Sequence, residues 1–369
     1  MTRVVLAPDS FKGTITAADA ATALAEGWAA VDPAAEFVHR PMADGGEGTV
    51  AAFEAAVDGA ARMPVVVDGP AGTRVNTSWL LLPPTPAAPA GTAVVDLGST
   101  SGIELLDELQ PWDADTTGLG QAMADALDHG VSCLVVGIGS SASTDGGTGM
   151  LTALGARFLD ASGAPVARGA RGLADIVSAD LTGLRAAPEV RVLTDVTNPL
   201  TGPRGAAAVF GPQKGLRASE DIAAVDTGLR RLADLLGIDP AGQGYGAAGG
   251  TGAALVVWGG VLALGAAEVA ELIGLAAAIT NADVVITGEG SYDGQSGDGK
   301  VPSFLAGLAA AAGTRALLAA GRITTDADTT PFAASVSLID LSGSSDAAIA
   351  DPARWLREAG AVLARAAAS

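Results

Sequence analysis

Strand-like and helix-like runs alternate at both ends of this chain, and that alternation constrains the fold more than any other feature. Arg3 to Ala7 is a β-branched run ended by Pro8. A helical pattern follows from about Ala17 to Ala30, with Thr16 as N-cap and Asp19 as the acidic partner of a capping box. Glu36 to Arg40 reads as a second strand, and Glu47 to Ala56 as a helix entered through Gly45 and Gly46. The rhythm returns late, with strands at Asp283–Thr287, Ala316–Ala319 and Val336–Leu341 and helices at Ser303–Ala312 and Ala353–Ala367. Such alternation marks an α/β domain.

The middle of the chain reads differently. Met63–Val67 and Val75–Leu82 flank a Gly69-Pro70-Ala71-Gly72 turn, the signature of a β-hairpin. Further strands are expected at Val94–Val95, Cys133–Ile138 and Val190–Leu193, with helices at Leu119–His129 and Ile222–Leu236. The expected architecture is two α/β domains: a Rossmann-like parallel-sheet domain built from residues 1–60 and 282–369, with a mixed α/β domain inserted at 61–281.

Composition removes several function classes. A net charge of -20 repels nucleic acid and anionic membranes, so neither is an expected partner. The single cysteine, Cys133, excludes an internal disulfide and CxxC metal sites, and two histidines exclude a multi-histidine site. The most apolar stretch, Gly252 to Leu275, is rich in glycine and carries Glu268 and Glu271, which argues against a membrane span. The opening residues do not read as a signal peptide, and a cytoplasmic protein is expected.

Of the 21 basic residues only three are lysines: Lys12, Lys214 and Lys300. Codon bias explains the background, but each survivor sits in a Gly- or Asp-rich segment. A site shaped for a compact ammonium rejects a planar guanidinium, so all three are candidate anion ligands.

Five segments could carry chemistry. Asp9, Ser10 and Lys12 lie between the first strand and the first helix, where open α/β sheets bind ligands. Asp44 and Glu47 follow the second strand and could hold Mg²⁺; acids are favoured in a helix first turn anyway, so Asp44 is the better candidate. Gly137 to Gly149 packs five glycines and five hydroxyl residues between a strand and a helix, a backbone cradle for phosphate. Its candidates are Ser140, Ser141, Gly146 and Gly147. Asp195 follows a strand, with Asn198 before Pro199 and Lys214 further on. Glu289, Asp293 and Lys300 cluster after the strand near 283–287.

Two motifs mislead. Gly294 to Lys300 fits G-x-x-x-x-G-K, but Val301 stands where a P-loop needs Ser or Thr. Gly244 to Gly249 fits G-x-G-x-x-G but follows no strand, against a dinucleotide site.

Taken together, APDSFKGT, PMADGGEGTV, the loop closing in DGGTGM, TDVTNPLTGPRGAAAVFGPQKG, GAAGGTGAAL and ITGEGSYDGQSGDGKVP resemble the bacterial type I glycerate kinase family. The resemblance implies ATP-dependent phosphorylation of D-glycerate at the 2-hydroxyl, with Mg²⁺ and an active site in an interdomain cleft. A monomer or homodimer is expected. Lys12, Lys300 and the Ser140/Ser141 loop would bind phosphate oxygens, and Asp44 or Glu289 would help hold Mg²⁺. Asp195 or Asp293 would accept the glycerate proton, and Lys12 or Lys214 would meet its carboxylate. The chain departs from the family at Ser140, Ser143 and Thr144, and at Ser291-Tyr292, where the family usually has Arg-Leu. Arg204 and Arg322 are candidate substitutes for that arginine. A kinase for another small hydroxy acid and a non-catalytic anion binder are the competing readings.

Overall fold

The computed structural model describes residues 1–11, 13–46, 48–294 and 300–368. Its strands, in chain order, are β1 (Arg3–Leu6), β2 (Glu36–His39), β3 (Ala61–Asp68), β4 (Arg74–Leu82), β5 (Thr92–Asp96), β6 (Cys133–Gly137) and β7 (Arg157–Leu159). There follow β8 (Ser178–Asp180), β9 (Glu189–Leu193), β10 (Val261–Ala263), β11 (Val284–Tyr292), β12 (Arg315–Ile323) and β13 (Ala334–Ser337). The chain divides into two compact units: Met1–Asp44, Ala51–Asp58 and Ala266–Ser369 form one, Gly45–Val50 and Gly59–Gly265 the other.

The first unit holds a five-stranded sheet in the order β2-β1-β11-β12-β13. Every pair in it is parallel, with Val4 opposite both Phe37 and Val284. Thr16 caps the helix Ala17–Ala29 as expected: its Oγ1 accepts from the Asp19 N–H at 3.1 Å and donates to the Asp19 carboxylate at 2.8 Å. Leu24 and Trp28 of that helix, with Leu356 and Leu363 of the helix Pro352–Ala368, pack onto Val4, Leu6, Ile286 and Leu317 of the sheet. The two helices approach through glycine: a Cβ on Gly27 would fall 1.9 Å from the Arg357 carbonyl oxygen. The strand order reverses between β1 and β11. Such a switch point opens a crevice outside the carboxyl ends of the strands.

The second unit is mixed α/β. Its six-stranded sheet runs β10-β9-β6-β5-β4-β3. β5, β6, β9 and β10 are parallel neighbours, while β3 and β4 form the antiparallel hairpin. Pro64 is tolerated in β3 because that strand lies at the sheet edge. Leu134, Val136 and Val192 of the sheet pack against Leu119, Met123, Met150 and Leu229 from the surrounding helices. β7 and β8 pair separately.

Two differences from the expected boundaries have a clear physical reason. β11 runs to Tyr292 rather than ending at Thr287, because β12 continues to pair with it to Ile323, across the glycines that read as a strand end. The apolar run Val336–Leu341 is not one strand: β13 ends at Ser337, whose Oγ accepts from the Asp340 N–H at 3.3 Å and starts the helix Leu338–Ser342. Among the described residues no helix is long and apolar enough to cross a membrane.

Candidate active site

In the first unit the backbone ladder continues past the strands. Ala7 N–H donates to Ile286 O and Asp9 N–H to Gly288 O, each at 2.8 Å. On the other side Met42 N–H donates to Pro8 O at 2.9 Å. Pro8 and Asp9 are thereby clamped between the segment leading to Asp44 and the middle of β11. Asp9, Ser10, Asp44 and Glu289 all lie along this carboxyl edge, at the switch point. Asp9 is 8% exposed and accepts the Ser10 N–H at 2.7 Å. Gly288 has to be glycine, because a Cβ there would meet Ala319 O at 2.0 Å. Further along, Lys300 and Asp293 form an ion pair at 3.8 Å, each partly exposed. Lys300 stands immediately before the helix Val301–Ala312. Lys12 lies outside the described residues.

The pair Ser291-Tyr292 splits in role. Tyr292 is buried, donates its hydroxyl to Asp328 O at 2.9 Å and stacks edge-on against Phe332. Burial holds its hydroxyl pKa above the ordinary tyrosine range. It is a packing residue. Ser291 is exposed and lies opposite Arg322 in the β11–β12 register, which makes Arg322 the better placed of the two candidate arginines.

In the second unit the loop after β6 is built backbone to backbone. Gly139 N–H donates to Gly45 O at 2.9 Å, and a Cβ on Gly139 would lie 2.3 Å from Gly46 Cα. Any side chain would therefore separate the two glycine segments. Ser140 is exposed in the left-handed region at φ 59°, where a non-glycine residue is strained. The segment after β5 supports it: Ile103 N–H donates to Ser140 O at 2.8 Å, and Ala142 N–H to Ser101 O at 3.2 Å.

Asp145 organises the rest. It is fully buried, and its carboxylate accepts five hydrogen bonds. Thr116 N–H (3.1 Å), Thr116 Oγ1 (2.8 Å) and Gly149 N–H (3.1 Å) bind one oxygen; Ser143 Oγ and Gly147 N–H, both at 3.1 Å, bind the other. Burial, and then the neighbouring Asp115, push its pKa up, while the donors oppose the shift. Asp115 is itself held by a bidentate pair with Arg168.

This network changes the reading of two candidates. Gly147 donates its N–H to Asp145, and Gly146 donates its N–H to Gly249 O at 3.0 Å. Cβ atoms on them would strike Ala254 and Leu232. Their N–H groups are engaged inside the protein, and their missing side chains let helices approach. Ser141 is 7% exposed. Thr144 is buried, and its Oγ1 has no hydrogen-bond partner among the described residues. Lys214 lies beneath the loop: at 3% exposure it donates to Ser143 O at 2.5 Å and Ser141 Oγ at 3.1 Å. Burial lowers its pKa to about 7, against the opposing charge of Asp145.

Two residues past β9, the neighbour of β6, Asp195 is exposed and its Oδ1 accepts the Gly265 N–H at 3.2 Å. Asn198 donates from Nδ2 to Arg204 O at 2.8 Å. Among the described residues no three His, Cys, Asp or Glu side chains form a metal cluster. Mg²⁺ needs no such cage, since it is usually bound by one or two carboxylates with substrate phosphates and water.

Sequence reasoning misses three supports. Asp96, which accepts the Ser99 N–H at 2.6 Å, ends β5 in a D-x-G-S pattern that resembles the other strand-end acids. Thr116 and Asp115 have no local signal. The rejected G-x-G-x-x-G segment packs on the phosphate-loop candidate: a Cβ on Gly249 would fall 2.1 Å from Ser143 O.

Acids and a lysine along the carboxyl edge of one parallel sheet, and a glycine–hydroxyl loop after a parallel strand of another, define an α/β enzyme that works at strand ends. Comparison with known proteins narrows that class. The sequence profile of the glycerate kinase family matches residues 4–368. The chain is 40% identical to the glycerate 2-kinase of Escherichia coli (strain K12), over 83% of this chain and 82% of that one. It is 38% identical to the glycerate kinase of Bacillus subtilis (strain 168), over 88% and 86%. A crystal structure of a protein assigned as glycerate kinase 2 from Salmonella typhimurium LT2 matches with a TM-score of 0.85 and 37% identity, covering 99% of this chain and 97% of that one. The chain belongs to the glycerate kinase family, and it is a kinase.

Proposed function

We propose that this kinase transfers the terminal phosphoryl group of ATP to the 2-hydroxyl of D-glycerate, giving 2-phosphoglycerate. The observation that carries the reading is the loop after β6: exposed Ser140 in a left-handed turn, Gly139 packed backbone to backbone on Gly46, and a buried aspartate and lysine that fix the backbone from within. The E. coli relative's name supports the 2-position.

Phosphoryl transfer demands positioning and charge neutralisation more than covalent chemistry. The residues fit a phosphate chain: Ser140 and Ser141 stand at the loop, and Thr144 Oγ1 is a buried hydroxyl without a hydrogen-bond partner among the described residues. Asp44 and Glu289 would hold Mg²⁺, which when bound neutralises phosphate charge. Lys300, and Lys12 by family resemblance, would meet further phosphate oxygens. Asp9, Ser10 and Asn198 are the candidates for orienting glycerate. Asp195 is the favoured base, because its exposed carboxylate is oriented at a strand end by the Gly265 N–H. Asp293, already paired with Lys300, is the weaker candidate.

A ³¹P spectrum of a reaction with D-glycerate, ATP and Mg²⁺ tests it. A 2-phosphoglycerate signal growing as ATP falls is the expected result. A 3-phosphoglycerate signal overturns the position, and no product overturns the substrate. The exposed Ser291 beside Arg322 favours trying other small hydroxy acids next.

A further inference from the structure

Lys214 places an amine where packing alone would place a methionine or leucine. A buried charge is costly unless it is paired and hydrogen-bonded, so its retention points to work that an apolar side chain cannot do. It ends the single turn Pro212–Lys214, and Gly215 follows at φ 104°. From there Nζ reaches two acceptors on one loop, Ser143 O at 2.5 Å and Ser141 Oγ at 3.1 Å. In a trans peptide the carbonyl and the next N–H point in opposite directions. Holding Ser143 O on Lys214 therefore aims the Thr144 N–H away from Lys214. Asp145 acts in the complementary sense, drawing the N–H groups of Gly147 and Gly149 to itself. Between them the two side chains fix both ends of the turn at Ser143–Gly147.

We infer that Lys214 is a positioning residue of this loop, and that its amine takes up a proton when a polyphosphate binds there. The inference rests on the reading of the loop as a phosphate site. With a pKa of about 7, the side chain carries its proton only part of the time in neutral solution. Asp145 is the charge that opposes this, with Asp115 and Arg168 behind it. The helix Ala206–Phe210 and the segment 109–111, which pack around the Lys214 turn, carry no charged residue. A polyanion arriving at the loop adds negative potential without removing either hydrogen bond, so the protonated form gains.

The test is titration calorimetry of the whole chain with Mg-ATP and no acceptor, at pH 8, in two buffers of different ionisation enthalpy. Nucleotide phosphates, with a second pKa of about 6, are fully ionised there and contribute little proton exchange of their own. A group with pKa near 7 is about nine-tenths deprotonated at pH 8, so the expected uptake is roughly one proton per ATP bound. Affinity should fall close to tenfold per pH unit above pH 8 until the bound-state pKa is reached. Lys214→Met should still bind ATP more weakly, but with no proton uptake and no pH slope. Tight ATP binding by the wild-type chain without proton uptake overturns the inference while leaving the phosphate-site reading intact. Uptake that persists in Lys214→Met overturns it equally. Absence of ATP binding overturns the reading and the inference together. If Lys214→Met fails to fold, the wild-type heats decide alone.

Discussion

Removing the Asp145 carboxylate should be among the most damaging single changes in the second unit. The structure allows the cost to be worked out. Five donors converge on it, of which two are hydroxyls that can rotate toward other acceptors. The other three, the N–H groups of Thr116, Gly147 and Gly149, are fixed by backbone geometry. An unsatisfied buried N–H costs about 1–3 kcal/mol, so Asp145→Ala strands roughly 3–9 kcal/mol of donors. Relief of a buried charge facing Asp115 offsets part of this, leaving an expected loss of about 3–6 kcal/mol. Asp145→Asn separates the contributions. Its carbonyl oxygen can serve Thr116 and Gly149, but its amide then faces the Gly147 N–H, donor against donor. The expected loss is about 1–3 kcal/mol, from one stranded N–H. Urea unfolding followed by circular dichroism measures both variants against wild type. A loss under about 1 kcal/mol in Asp145→Ala would refute the reasoning, since three backbone donors would then have found other partners.

Four other outcomes follow from the same geometry. Asp195→Asn should lower kcat by roughly 10²–10⁴ with the unfolding curve unchanged, as loss of a general base requires; near-normal turnover removes Asp195 from that role. Gly139→Ala forces a Cβ against the Gly46 backbone and should cost about 1–3 kcal/mol and weaken ATP binding, read by unfolding and calorimetry. Tyr292→Phe should lose about 0.5–1.5 kcal/mol of stability with the Asp328 hydrogen bond while kcat/KM stays within about twofold, which separates packing from substrate contact. Finally, Lys214 binds its proton less tightly folded, at a pKa of about 7, than unfolded, near 10.5. The unfolded chain therefore holds the extra proton between these values, and stability should rise with pH across that window, by about 2 kcal/mol from pH 7 to 9. The difference in urea midpoints between wild type and Lys214→Met isolates this slope, and equal slopes would contradict it.

Much of the fold is legible because its signals are local. A β-branched run before Pro8 and a Thr16–Asp19 capping box need only a few neighbouring residues to be read, and both are found in place. The glycine–hydroxyl loop is equally visible as composition between a strand and a helix. Signals fail where the partner is distant in sequence. Nothing near Lys214 says whether it faces outward to an anion or inward to Ser143, which is 71 residues away. Gly146 and Gly147 look like cradle glycines, yet the Leu232 and Ala254 that require them lie on helices far along the chain. The misleading G-x-G-x-x-G segment is glycine-rich for a related reason: Gly249 lies against Ser143 and Thr144, where a side chain would intrude. A motif of glycines records close approach, not what approaches.

The chain's charge sharpens what the loop has to do. Both proposed substrates are anions, and a net charge of -20 repels them at long range. Salt screens that repulsion beyond about 8–10 Å, so recognition depends on what the site presents at contact distance. Exposed arginines could supply attraction, but they are mobile and pair readily with the abundant surface acids, as Arg171 does with Asp113 and Arg357 with Glu26. A fixed backbone avoids that competition. Asp145 and Lys214 hydrogen-bond opposite ends of the peptide dipoles from beneath, and neither is exposed enough to pair with a surface group. The orientation of the loop is thus set before any ligand arrives, which is the condition under which dipoles stabilise transferred charge without reorganisation. The burial of a carboxylate and an amine under one turn, costly to stability taken alone, is explained by that requirement.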